Sequence, residues 1–168
     1  MHLTTDRLLL DSFTTEGRDR FMAIYMNGQV MKYVTGRALA PEEAEEKFRK
    51  VLECNACNNG TGYYSVFTKQ GNKYIGLVKL VHPDLRDPAC LELGFCLFPE
   101  FWGKGFASEI TSEMVGYAAT IASVNRLIAI IDPANEASAK VLIKSGFVLT
   151  ATGDYGGLPS GTYTITLH

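Results

Sequence analysis

Strand-like and helix-like stretches follow one another along this chain in the order β-α-α-β-β-β-α-β-α-β-β, which predicts an α/β (α+β) fold, a mixed sheet with helices on its faces. Three observations carry that prediction. Apolar runs of strand length recur, other stretches place apolar residues at helical spacing, and clusters of Asn, Gly and Pro fall between them.

Taken in order, residues 7–13 (RLLLDSF) form the first expected strand. From Thr15 to Asn27, Phe21, Ile24 and Tyr25 recur at helical spacing, and Asn27-Gly28 stops the stretch. A second helix begins at Pro41, which suits a first-turn position, with Glu42 and Glu43 at the positive end of the helix dipole. It runs to Ala56, ahead of the break at Asn58-Asn59-Gly60. Tyr63–Thr68 and Tyr74–Val81 are strands about a turn at Gln70-Gly71-Asn72, and Leu91–Phe98 is another after the loop HPDLRDPA. Ala107 to Ile121 is a helix of about four turns, and Arg126–Ile131 is a buried strand. A short helix from Asn135 to Lys144 ends at Ser145-Gly146, where glycine takes the left-handed capping conformation. Phe147–Thr152 and Thr162–Leu167 are the last strands, joined by a glycine-rich loop.

With 168 residues and no linker or repeat, the chain is expected to form one domain, 1–168. Its 46% hydrophobic and 20% charged residues exclude intrinsic disorder. A net charge of -2 argues against nucleic acid as a partner, because tracking a phosphate backbone needs a basic face. No stretch approaches the roughly 20 apolar residues of a membrane helix. The opening MHLTTDRLLLDSF lacks a small-residue cleavage site and is not expected to be a secretory signal. Together with four cysteines (Cys54, Cys57, Cys90, Cys96), this predicts a cytoplasmic protein with reduced thiols. Cys54-x-x-Cys57 has no second pair or His cluster to complete a zinc site, so no metal is expected.

The informative segment is LELGFCLFPEFWGKGFASE, residues 91–109. A strand ends, Pro99 turns the chain, and Gly103 and Gly105 lead directly into a helix. Glycines there let backbone N–H groups approach a ligand closely, and the helix N-terminus adds partial positive charge, a construction that binds phosphate or diphosphate, with Lys104 in support. The other reading is a glycine-rich turn with no ligand. A P-loop fails because Gly105 follows Gly103-Lys104 where Ser or Thr is required. The dinucleotide fingerprint matches only as G-x-G-x-x-S through Ser108, its first glycine stands too far beyond the strand, and no second nucleotide-binding half follows.

The segment W-G-K-G-F-A resembles the pyrophosphate loop of the GNAT acyltransferase superfamily, in which Arg or Gln is followed by two residues, Gly, one residue, and Gly or Ala. Trp102 stands in the Arg/Gln place, Gly105 is the central glycine and Ala107 the final small residue. DPANEASAKVLIKSGF, residues 132–147, is similar to the superfamily's later helix, and TTDRLLL and QVMKYVTG resemble its RimJ/RimL-type branch, which acetylates protein N-termini. The resemblance implies a mostly antiparallel sheet of seven strands flanked by four helices, splayed between strands 4 and 5, with acetyl-CoA in the gap. It implies that Phe95, Cys96 and Leu97 pair with the pantetheine arm as an added strand. Gly103, Lys104, Gly105, Phe106, Ala107 and Ser108 would turn N–H groups to the pyrophosphate. Asn135 and Ser138, one helical turn apart, would meet the pantetheine and the thioester.

The chain departs from the family pattern at Leu142, where a tyrosine general acid is frequent, at Ile130, where some members carry glutamate, and at Asp11, near a usual arginine. Ser138 is the implied aid to the departing thiolate, and Glu92, just before the pantetheine-pairing segment, is the candidate general base. Each residue also has a structural reading: Asn135 as a helix cap, Ser138 as a packing residue, Glu92 as a solvent-facing strand residue, Trp102 as an anchor beneath the loop. The function these features predict is N-acetyl transfer from acetyl-CoA to a primary amine, with a protein N-terminus as the leading acceptor. Small-amine acetylation (a polyamine, amino acid or aminoglycoside) and a non-catalytic acyl-CoA-binding module are the alternatives. A monomer and a homodimer are both compatible with the sequence.

Overall fold

Apolar periodicity and turn chemistry place the elements near where the sequence predicts them, with two additions. The computed structural model describes residues 2–57 and 60–167, so the expected helix break at Asn58-Asn59 lies outside the described residues. Its strands are β1 (His2–Thr4), β2 (Leu8–Ser12), β3 (Gly62–Thr68), β4 (Tyr74–Val81), β5 (Cys90–Leu97), β6 (Arg126–Ile131), β7 (Val148–Tyr155) and β8 (Leu158–Thr166). Its helices are α1 (Arg18–Tyr25), α2 (Gly28–Met31), α3 (Pro41–Cys57), α4 (Phe106–Ala119) and α5 (Glu136–Lys144). The sheet order is β1-β2-β3-β4-β5-β6-β8-β7, with β5 parallel to β6 and the pairs β1/β2, β2/β3, β6/β8 and β7/β8 antiparallel. The sheet is mixed, mostly antiparallel and not closed. Among the described residues it has eight strands rather than seven, because β1 is only three residues long and carries no readable alternation. The first helical stretch is likewise split: Asn27 does not simply end α1 but caps α2, its side chain accepting from the N–H groups of Gln29 and Val30 at 3.1 Å.

The chain divides into two compact units, one holding residues to Lys79 with Phe95–Lys104, the other Leu80–Gly94 with residues from Gly105 onward. The first is built on an aromatic core. Phe21 is fully buried, stacks on Tyr25 at a centroid distance of 4.4 Å, and meets Phe13 edge-on at 5.6 Å and Phe48 at 5.1 Å. These rings join α1 and α3 through the positions that the helical spacing marks as apolar. Outside, Arg37 grips Glu43 through two 2.7 Å bonds while the same carboxylate accepts the Ala40 N–H at 2.8 Å, fixing the start of α3. Its other end is tied down by Asn55, whose amide donates to the Phe13 and Tyr63 carbonyls and accepts from the Tyr63 N–H.

In the second unit, α5 ends as predicted: Gly146 has φ +93° and the Phe147 N–H reaches back to the Leu142 carbonyl at 3.0 Å. The last two strands run further than the sequence predicts. Gly156 and Gly157, with φ +61° and +83°, make a two-residue turn, so the expected glycine-rich loop is the tip of a β7–β8 hairpin. Every residue of β7 is exposed, which removes the buried–exposed alternation that would have marked it.

Candidate active site

The ladder between β5 and β6 is short. It pairs Cys90, Leu91 and Glu92 with Arg126, Leu127 and Ile128, although β5 continues to Leu97 and β6 to Ile131. Backbone groups alternate sides along a strand, so the direction of those beyond the ladder follows. The Ala89 carbonyl accepts from Asn125 and Arg126 on the ladder side, whereas the Cys90 carbonyl bonds His82 on the opposite side. Beyond the ladder, Phe95 and Leu97 therefore turn their N–H and C=O groups to the unpaired side, where the Leu97 carbonyl is taken by the Trp102 indole. Cys96 does not. Its carbonyl lies where a Cβ on Gly76 would collide with it, so of the three residues expected to pair with pantetheine, Phe95 and Leu97 are on the open side and Cys96 is turned to β4. Burial also pushes the Cys96 thiol up to about 11, which keeps it protonated and inert at neutral pH.

Trp102 anchors the turn that follows. Its indole N–H donates to the Leu97 carbonyl at 2.8 Å, while the ring stays 52% exposed. The packing reading of Trp102 thus holds in part, since the indole fixes the end of β5 but covers little. The next residues adopt the conformations that the two glycines permit, Gly103 at φ +70° and Gly105 at φ +79°, the latter as N-cap of α4. The first bond of the α4 ladder is donated by Glu109 to the Gly105 carbonyl at 3.1 Å, so the N–H groups of Phe106, Ala107 and Ser108 precede that ladder. Lys104 is exposed and lies 5.5 Å from the Phe101 ring centroid.

Asn135 is the N-cap of α5, with its side-chain oxygen accepting from the Ser138 N–H at 3.2 Å. Capping uses only that oxygen and leaves the amide NH₂ to donate. Ser138, half-buried in the first turn, makes no hydroxyl hydrogen bond among the described residues. Leu142 is fully buried, so no acid stands at that position of α5. Glu92 is only 6% exposed, between Leu91 and Leu93, and is the one ionisable side chain among the buried polar residues described. That removes the solvent-facing reading, and a carboxylate is retained in such a place only with partners or a task. Asp11, where the family pattern has arginine, faces His2 across the β1/β2 pair and bonds its Nδ1.

Sequence reasoning missed which β5 residues face the open side. The signal was available in the pleat: once one residue of a strand is known to pair outward, every second residue follows. It also missed Arg7, whose side chain reaches the Lys104 carbonyl; nothing in a single sequence connects positions so far apart.

Comparison with known proteins agrees with this geometry. Residues 7–148 match the family model described as the acetyltransferase (GNAT) domain. The N-acetyltransferase YoaA of Bacillus subtilis, itself uncharacterized, is 28% identical over 148 residues, covering 86% of this chain and 81% of that protein. Among solved structures, spermidine N-acetyltransferase from Vibrio cholerae, in complex with CoA and spermine, superposes with a TM-score of 0.77 at 20% identity over 95% of each chain. Ribosomal-protein-S5-alanine acetyltransferase from Vibrio fischeri gives 0.79 at 19% identity, covering 99% of this chain and 96% of that one. Those two likenesses carry the fold; the match across residues 7–148 carries the membership, and the chain belongs to the GNAT family of acetyl-CoA-dependent N-acetyltransferases.

Proposed function

We propose that the chain, acting as one catalytic domain, transfers acetyl from acetyl-CoA to the N-terminal α-amine of a protein or peptide. The observation that carries this reading is the ladder that stops at Glu92, leaving both backbone groups of Phe95 and the N–H of Leu97 turned to an unpaired side ahead of a two-glycine turn and a helix N-terminus. A pantetheine arm carries amides that complete such an edge, and a diphosphate suits the N–H groups of Gly103 to Ser108. Asn135 offers its amide and Ser138 its hydroxyl to the thioester end of the arm.

The amine attacks the thioester carbonyl directly, backbone amides hold the developing oxyanion, and the CoA thiolate departs with hydrogen-bond help from Ser138. Glu92 takes the proton that the incoming ammonium must lose before its nitrogen can attack. An α-amine with pKa near 8 is about a tenth neutral at pH 7, whereas a lysine near 10.4 is less than about a thousandth neutral, so the α-amine asks less of a single carboxylate. The resemblance of TTDRLLL and QVMKYVTG to the RimJ/RimL-type branch supports the same acceptor. A second reading, acetylation of a polyamine or other small amine, is favoured by the likeness to the spermidine enzyme.

Thiol release from acetyl-CoA, measured with a panel of N-terminal peptides and small amines, tests the choice. Peptides starting with different residues should outpace spermidine, free amino acids and aminoglycosides in kcat/KM. Faster turnover of the small amines would replace the α-amine reading with the second one.

A further inference from the structure

Arg7 lies just before β2, yet its Nη1 donates a 3.0 Å hydrogen bond to the carbonyl of Lys104, 97 residues away in the middle of the two-glycine turn. The base of this side chain is well fixed. The Thr5 N–H donates to the Leu8 carbonyl and the Leu8 N–H to the Thr5 hydroxyl, both at 3.0 Å. The Lys69 N–H holds the Arg7 carbonyl at 2.8 Å, and the Lys69 ammonium donates to the Thr5 carbonyl. A braced turn between β1 and β2 therefore carries the guanidinium to one peptide of the glycine turn.

That peptide needs a constraint. Lys104 is flanked by Gly103 and Gly105, which rotate freely, so the plane of the Lys104–Gly105 peptide is the least determined in the segment. In a trans peptide the C=O and the N–H point in opposite directions, and no cis peptide occurs among the described residues. Drawing the Lys104 carbonyl to Arg7 therefore directs the Gly105 N–H the other way, and Gly105 is the N-cap of α4. The guanidinium also keeps a full positive charge near a turn whose other cation, Lys104, leans on the Phe101 ring. Because Arg7 is exposed, this bond adds little to the stability of the fold.

We propose that Arg7 is a positioning residue for the diphosphate of acetyl-CoA: by holding the Lys104 carbonyl it aims the Gly105 N–H at the phosphate oxygens. This rests on the reading that residues 103–108 receive that diphosphate. The property it sets is the preference of the enzyme for a donor with a diphosphate over one without.

Comparing acetyl-CoA with S-acetylpantetheine, which has the same thioester and arm but no diphosphate, tests it. The ratio of their kcat/KM values is measured for the wild type, Arg7→Met, Arg7→Lys and Gly105→Asp. Arg7→Met should lower the ratio about tenfold, the scale of one hydrogen bond from a charged donor, and do so through KM for acetyl-CoA. Arg7→Lys, which keeps a cationic donor without the planar fork, should recover part of the loss and gives the same readout if Arg7→Met folds poorly. Equal losses with both donors, or an unchanged ratio in both Arg7 variants while Gly105→Asp lowers it, would overturn the role of Arg7 and leave the site reading standing. An unchanged ratio in Gly105→Asp as well would overturn both.

Discussion

The unit formed by residues to Lys79 with Phe95–Lys104 is packed on aromatic rings, whereas the unit of Leu80–Gly94 and Gly105 onward buries a carboxylate and leaves a whole strand exposed. In the first, Phe13, Phe21, Tyr25 and Phe48 fill the space between helices, and exposed pairs such as Arg37–Glu43 and Arg49–Glu53 decorate the outside. In the second, a carboxylate is buried at Glu92, α5 starts at the Asn135 cap while Gly105 gives α4 no side-chain cap, and β7 is exposed along its whole length. Dense packing gives the first unit its shape, while incomplete pairing marks the end of β5 at Phe95 and the start of α4 at Gly105. Ligand groups replace what a strand edge or a helix terminus lacks, so a reactive site belongs where the fold's own bonds run out.

The comparison breaks most easily at Phe21. Phe21→Ala should cost about 3–5 kcal/mol of stability by opening a cavity among three rings, while Tyr155→Ala on the exposed β7 should stay within about 0.5 kcal/mol. Urea denaturation showing equal costs would mean that the two regions do not differ in packing as described. Next in size is Glu92→Gln, which should lower kcat at pH 7 at least about tenfold while the affinity for acetyl-CoA barely moves. The deficit should shrink towards pH 9 as the neutral amine becomes abundant; a loss equally large at pH 9 would make Glu92 a structural carboxylate. Ser138→Ala should reduce kcat by about fivefold, the worth of one hydrogen bond to the leaving thiolate, and wild-type turnover would return Ser138 to packing alone.

The smallest expected effect is in pH dependence. Hydrogen bonds from Arg37 and the Ala40 N–H lower the Glu43 carboxyl from 4.5 to about 2. A carboxyl depressed in the folded state contributes stability above its unfolded pKa and loses it as pH falls through the folded one. Glu43→Gln should therefore lower the melting temperature slightly at pH 6, by an amount that shrinks as pH falls through about 2. Because the pair is exposed, salt should erase the difference. A difference that does not shrink between pH 6 and pH 2 would assign the effect to something other than the charge.

Much of this was legible in the sequence, and the misses have physical causes. The two-glycine turn, the cap at Asn135 and the end of α5 at Gly146 are local: a few adjacent residues decide backbone dihedrals, and residue type reports them directly. Strand β1 and helix α2 escaped because three and four residues show no period. Strand β7 was expected only as far as Thr152, and its extension to Tyr155 escaped because periodicity reports burial and none of its residues is buried. At the site, residue types were readable and facing was not. Cys96 stood in the right segment, yet the pleat turns its carbonyl to Gly76, a matter of register that only pairing fixes. Glu92 looked alternately exposed between two leucines, and only a strand covered on both faces makes it a buried charge.

The central claim is that the turn from Gly103 to Ser108 receives the diphosphate of acetyl-CoA. Isothermal titration calorimetry of acetyl-CoA into the wild type and Gly105→Asp tests it most directly. Aspartate tolerates the left-handed conformation better than most side chains, so the substitution chiefly sets a negative charge and bulk against the diphosphate. The account predicts a measurable affinity in the wild type and a loss of at least about a hundredfold in the variant, the scale of an uncompensated charge, with circular dichroism unchanged. An affinity equal to that of the wild type would contradict it.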